Sequence, residues 1–487
     1  MIGDLGAGDA TELAQLVAKG DVSAGELLDA ALAAVEARNP AINAVVLVQE
    51  AAARRAIAEG LPHGPFRGVP FLLKDLGCEA ADFPSHGGSR LLADTRHAGD
   101  SNIFRRIRAT GVTTFGRSTS PEFGIGTATE AAVYGGPTRN PWNLSHTPGG
   151  SSGGAAAAVA AGIVAFAHGS DGGGSVRIPA SNCGLFGFKP TRARLPDGPF
   201  SGEGWAGMAI DGFLTRSVRD SAVMLDACEG ADLGAPYVAP PLARGHAAAI
   251  SRPPRRLRVA LCDTRFDGAP IHPEVAGAVR DAGRLLEGLG HHVFPARPRA
   301  DFAAMMRAWT DIVGIGTALS IRQALKGRDL TPDRLPDLVE GVARGALAHA
   351  ETLHPTRYLE AVEAIHDFGR EMAGFFAPEG DPHPPEILLS ATLAEPPARI
   401  GRFCHATEDY LGFRTGPGGV FDYSPFTAVF NASGQPAASL PLGWSGEGLP
   451  IGVHLAARFG GDEDLIALCA EIEHAAPWRL TRAPMAG

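Results

Sequence analysis

The sequence predicts an α/β fold, and three observations carry that prediction. Short apolar runs at residues 68–75, 112–116 and 387–389 are bounded by turn residues and read as buried strands. Segments with apolar residues at helical spacing lie between them. No internal repeat or low-complexity stretch interrupts this alternation.

Residues 9–60 carry two or three helices. Leu13, Leu16 and Val17 share one face, and so do Leu27, Leu28, Ala31, Leu32 and Val35. The Asn39-Pro40 pair is expected to break the second helix. The run at 68–75 ends in Lys74 and Asp75, a buried strand stopping at two charges. A helix follows over 103–110 and a strand over 112–116. Residues 131–148 are irregular, with Pro137, Pro141 and Pro148. An Ala-rich helix begins at Gly153, and 163–167 opens a strand leading to Asp171. Residues 229–256 read as a surface connection. Strands are expected at 256–262 and 292–294, with a helix over 273–289 between them. Residues 300–376 read as helical, and a proline-rich loop follows from 377. Strands at 387–389 and 451–455 and a helix at 462–473 close the chain.

The 487 residues would allow about three domains, although large α/β enzymes often form one. Net charge is −10 with no long basic run, which argues against a nucleic-acid partner. The cysteines, at 78, 183, 228, 262, 404 and 469, show no CxxC spacing, so neither zinc nor a disulfide framework is expected. The first residues are acidic and lack a basic segment before an apolar core. The longest apolar run, 155–167, is short of the ~20 residues that span a bilayer. The expectation is a cytoplasmic protein with no membrane partner.

Chemistry concentrates in two glycine loops. The first reads Gly149, Gly150, Ser151, Ser152, Gly153, Gly154; the second reads Asp171, Gly172, Gly173, Gly174, Ser175, Val176, Arg177. Three successive glycines let backbone N–H groups converge on one concavity that can hold an oxyanion. Ser175 closes that nest and is the candidate nucleophile. A serine hydroxyl attacks only if a partner takes its proton. Histidine is the usual partner, but only His146 and His168 lie near these loops. Taken alone, Ser151 and Ser152 read as helix caps, with Ser152 the better cap. Cys183 reads as core, Asp171 and Arg177 as structural residues, and His291-His292 as surface.

With Leu73, Lys74 and Asp75, the two loops resemble the amidase signature family of serine hydrolases. The likeness extends through residues 138–142, 184–191, 430–437 and 448–453. It implies a single domain over 1–487, a central twisted mixed sheet covered by helices on both faces. Residues 1–60 would be N-terminal helices, 61–230 the catalytic core, and 300–376 a helical elaboration on the substrate side. It implies a triad of Lys74, Ser151 across a cis peptide, and Ser175. It also implies an oxyanion hole from the N–H groups of Gly172, Gly173, Gly174 and Ser175, braced by an Asp171–Arg177 pair. Burial would lower the pKa of Lys74 and let it accept a proton. Many members carry Thr where this chain has Gly172, and Pro where it has Ala391. The triple glycine resembles the branch of 6-aminohexanoate cyclic dimer hydrolases and aryl acylamidases.

The expected activity is hydrolysis of a small, largely uncharged carboxamide, with no metal or organic cofactor and with a homodimer open to it. Phe123 and Gly124 are expected at the acyl pocket, and Leu185, Phe188, Met305 and Met306 as further apolar wall. One alternative is an amidase-like subunit of a multi-subunit amidotransferase, and another is a binding protein on an inactive amidase scaffold. A third is an α/β-hydrolase esterase, with Ser151 in a G-x-S-x-G elbow and His86-Gly87-Gly88 as its oxyanion motif. Pro141 and Pro148 make a poor strand before Ser151, which weighs against that elbow.

Overall fold

The apolar runs form one sheet. The computed structural model describes residues 8–326, 334–479 and 481–486. Its strands are β1 (Val45–Val48), β2 (Pro70–Lys74), β3 (Thr113–Ser118), β4 (Phe166–Asp171), β5 (Phe186–Lys189), β6 (Ile210–Thr215), β7 (Arg258–Leu261), β8 (His292–Pro295), β9 (Ile387–Ala391), β10 (Ala437–Trp444) and β11 (Pro450–Ala457). They make an 11-stranded sheet in the order β1-β3-β2-β4-β6-β5-β10-β11-β9-β7-β8. The sheet is mixed: β2 runs parallel to β3 and β4, whereas β6 runs antiparallel to β4 and β5. Helices flank it, so the α/β expectation holds.

Strand β2 is buried at all five positions. Phe71 packs against Phe166 with ring centroids 4.8 Å apart, joining β2 to β4. Because the two strands run parallel, with Leu72 opposite Ala167, their C-terminal ends, Lys74 and Asp171, lie at the same edge of the sheet. The helix Gly153–Ala160 packs behind them and is buried at every residue. Its alanines and glycines fit because no bulkier side chain would let it approach β4 so closely.

Several sequence expectations change. Pro40 does not break its helix, which runs Ala24–Ile42 and ends where Asn43 adopts φ 49°. Proline in a last turn forfeits one hydrogen bond near an end that is already fraying. Strands β1, β5, β6 and β10 were not anticipated. Residues 300–376 do form helices, Phe302–Leu325, Leu335–Leu338, Gly341–Thr352 and Arg357–Phe376. Positions 327–333 of that stretch, and 1–7 of the N-terminal helical segment, lie outside the described residues. His291 is buried with Nε2 2.9 Å from Glu471, while His292 is exposed, so only half of the surface reading holds. Among the described residues no helix is long and apolar enough to cross a membrane.

Candidate active site

Lys74 ends β2 fully buried, with its Nζ 2.6 Å from Ser151 Oγ and 2.9 Å from Ser170 Oγ. Burial drives its pKa down to about 7, while the more distant Asp171 and Asp211 carboxylates pull the other way. The strand end is fixed from behind. Arg117, also buried, donates from Nε to Phe83 O at 2.8 Å, from Nη1 to Lys74 O and from Nη2 to Cys78 O. Asp75 accepts from Tyr134 Oη and from the His86 N–H at 2.7 Å. The charged dipeptide that ends the apolar run therefore divides its work: Lys74 faces the site and Asp75 ties down the loop beyond it.

Ser151 follows a cis Gly150–Ser151 peptide in a loop anchored by Thr129, whose hydroxyl donates to Gly149 O at 2.9 Å. The two glycine loops are joined directly, since the Ser152 N–H donates to Ser175 O at 3.2 Å. Ser152 sits at the N-cap position, but its hydroxyl does not cap. It lies 3.2 Å from both the N–H and the C=O of Ser170 and so stitches the first loop to β4. No strand precedes Ser151 over residues 141–150, so the nucleophile-elbow arrangement is absent there.

The second loop is organised by Asp171. Its carboxylate accepts the N–H of Gly174 at 2.7 Å and that of Val176 at 3.1 Å. Arg177 grips it with two bonds, Nε to Oδ2 at 3.0 Å and Nη2 to Oδ1 at 2.9 Å, and both side chains are fully buried. Burial alone would raise the Asp171 pKa, but the Arg177 guanidinium outweighs it and holds the carboxyl well below the usual range. Asn431 and His454 complete the cluster, the former donating to Asp171 Oδ1 at 2.9 Å and the latter 3.1 Å from Arg177 Nη1. Arg177→Met would strand a buried carboxylate. It is expected to cost about 3–5 kcal/mol in an equilibrium unfolding experiment, and a variant as stable as wild type would count against the bracing role.

The backbone N–H groups of this loop are not equivalent. The Gly174 N–H points at Asp171 and is engaged, whereas among the described residues the N–H groups of Gly172, Gly173 and Ser175 have no protein acceptor. Two tryptophans explain why the first two are glycines. A Cβ on Gly172 would lie 2.5–2.7 Å from the Trp205 ring, and one on Gly173 would lie 2.7 Å from Trp309. Trp309 also donates from Nε1 to Gly172 O at 3.2 Å. Gly172→Thr should therefore displace Trp205. The expected cost is about 1–3 kcal/mol, relieved by a second Trp205→Ala change in thermal unfolding. A stable single variant, or no relief in the double, would refute the close-contact explanation.

Ser175 is half-buried and faces a cavity of about 270 Å³. Ser151, Ser170, Phe123 and Gly124 line the same space. Its apolar wall comes from Leu76, Ile103, Phe123, Trp205 and Ile210. Leu185, Phe188 and Met305 are instead buried in the core, and Met306 packs against it. They sit where strand and helix faces meet, and the aromatic wall is supplied by Trp205 from a loop. The cavity also holds Glu79, Asp197 and Asp211. Burial pushes Asp197 up to about 8 and raises Glu79 as well. Sequence reasoning missed Trp205, Asp197 and Asp211, which lie on loop and strand segments without a motif. Ser170 and His168 lie just before the second glycine loop, but nothing in the spacing aimed them at Lys74.

Comparison with known proteins gives the family and the fold. The Amidase family profile matches residues 26–466. A 6-aminohexanoate-cyclic-dimer hydrolase of Paenarthrobacter ureafaciens is 37% identical over 480 residues, covering 96% of this chain and 95% of that one. A putative amidase, AmiC, of Mycobacterium tuberculosis is 36% identical over 488 residues, covering 99% and 97%. The structure of 6-aminohexanoate cyclic dimer hydrolase complexed with substrate superposes with a TM-score of 0.91 at 34% identity, over 99% of this chain and all of that one. A bacterial aryl acylamidase superposes at 0.87 with 29% identity, over 100% and 99% of the chains.

Proposed function

The chain belongs to the amidase family and is an amidohydrolase; on that premise we propose that it cleaves the C–N bond through an acyl-enzyme on Ser175, with Ser151 and Lys74 as the proton relay. The observation that carries this reading is the 2.6 Å contact of a buried Lys74 amine with Ser151 Oγ. A lysine held near neutrality by burial can accept a proton at physiological pH.

In the proposed cycle, Ser175 Oγ attacks the amide carbonyl while its proton passes to Ser151 and the Ser151 proton passes to Lys74. The oxyanion is met by the N–H groups of Gly172, Gly173 and Ser175. The relay then reverses, Ser151 protonates the leaving nitrogen, and the C–N bond breaks. Water attacks the ester by the same relay and releases the acid, restoring Ser175. Asp171 and Arg177 hold the loop in shape without touching the reacting atoms. Phe123 and Gly124 form part of the wall that receives the substrate.

The proposed substrate is a small, largely uncharged amide with an aliphatic or aryl portion. A cavity of about 270 Å³ with a Trp205 and Phe123 wall suits that size and polarity. Burial keeps Asp197 protonated at neutral pH, so it meets such a substrate as a hydrogen-bonding acid. The names of the relatives, a cyclic-dimer hydrolase and an aryl acylamidase, point the same way. The test compares kcat/KM for an acyl anilide, the cyclic 6-aminohexanoate dimer, a simple primary amide and free glutamine. Turnover of the first two should dominate. Turnover confined to glutamine, and only with a partner subunit, would refute the proposed substrate class.

A further inference from the structure

Behind Lys74 lies a polar circuit that the relay does not use. The His168 ring on β4 is fully buried. Its Nδ1 accepts the backbone N–H of Lys74 at 3.2 Å, and its Nε2 lies 3.0 Å from Asp211 Oδ1. A backbone N–H can only donate, so Nδ1 carries no proton and Nε2 must donate to the carboxylate. Asp211 is on β6, where it is the direct cross-strand partner of Ser170. Ser170 Oγ is the second contact of Lys74 Nζ, at 2.9 Å. Asp211 thus reaches the Lys74 backbone through His168, and its cross-strand neighbour Ser170 contacts the Lys74 amine. Its side chain is 14% exposed and opens on the Ser175 cavity.

We propose that Asp211 is a positioning residue for Lys74: through His168 it fixes the end of β2, and its carboxylate is the cavity-side negative charge that the Lys74 amine senses. The inference rests on the reading of Lys74 as the base. The other charged and titratable groups around Lys74 are Asp171 and His168 from β4, Arg117 from β3, and Asp75 just beyond its own strand, with Cys78, Glu79 and Asp197 along the cavity. Asp171 is neutralised by Arg177, and Arg117 is turned to backbone carbonyls. Asp197 is protonated near neutral pH. Asp211 is therefore the carboxylate within the circuit that has no arginine or lysine ion pair among the described residues. Its charge favours the protonated amine, in the direction opposite to burial.

Asp211→Asn keeps an oxygen for the His168 Nε2–H and removes the charge. In pH profiles of kcat/KM on a neutral anilide, the acid limb is expected to move to lower pH by about half a pH unit or more. KM should be little changed, and Asp211→Glu should bring the limb back. Thermal unfolding of both variants separates these effects from misfolding. An unmoved limb, or a loss confined to KM, would overturn the inference and make Asp211 a substrate contact or a structural residue. A limb that disappears in Asp197→Asn would belong to that carboxyl and would overturn it too. If wild type has no acid limb at all, the Lys74 reading itself fails. A wild-type limb that Asp211→Asn leaves in place refutes the Asp211 role alone.

Discussion

Ser175→Ala is expected to abolish amide turnover, with kcat falling by about 10⁴–10⁶-fold, the range seen when a serine nucleophile is removed from a relay that works as a unit. The fold should survive. Ser175 is half-buried in a loop whose shape is set by the Asp171–Arg177 pair and by the Ser152 N–H bond to the Ser175 carbonyl. That bond uses the backbone, and alanine keeps it. Steady-state kinetics with a matched thermal-unfolding curve checks this. A stable variant with more than about a tenth of wild-type kcat would exclude Ser175 as the nucleophile.

Lys74→Ala is expected to lower kcat by about 10²–10⁴-fold, the contribution of a general base. In wild type, activity should be lost as pH falls through about 7, where the amine becomes protonated and can no longer take the Ser151 proton. The same displacement shapes stability. Between pH 7 and about 10.4 the folded chain holds Lys74 neutral, whereas the unfolded chain still binds the proton. The unfolded state binds more protons over that interval, so the Lys74 contribution to stability rises with pH there. Lys74→Met should flatten that rise as well as silence the enzyme. A Lys74→Ala variant at full rate, or a flat acid limb, would contradict the assignment.

The proposed centre was legible in the sequence because its demands are local. A charged pair ending an apolar run, and glycines grouped before a serine, are visible without knowing the fold. What surrounds that centre depends on which distant strands become neighbours. Asp211 matters because β6 pairs with β4 in one register, and that pairing joins residues about forty positions apart without a motif. Trp205 and Trp309 come from a loop and a long helix and meet only above Gly172 and Gly173. Strands β5, β6 and β10 were hidden for a related reason. Their apolar runs are broken by glycine, proline or a charge, as in FGFK, IDGFLT and AASLPLGW, so only their place between neighbouring strands makes them strands. Pro40 misled because the penalty of proline depends on its place within a helix, which the pair Asn39-Pro40 does not reveal. The apolar wall was assigned to Phe188 and Met305 by residue type, whereas burial sends both into the core.

The claim that Ser175 is acylated through a Ser151–Lys74 relay is tested most directly by labelling the intact protein with a fluorophosphonate and locating the adduct by peptide mass mapping. The account predicts one adduct, on Ser175, that is absent from Ser175→Ala and forms much more slowly in Lys74→Ala. An adduct on Ser151 with Ser175 unmodified would contradict it.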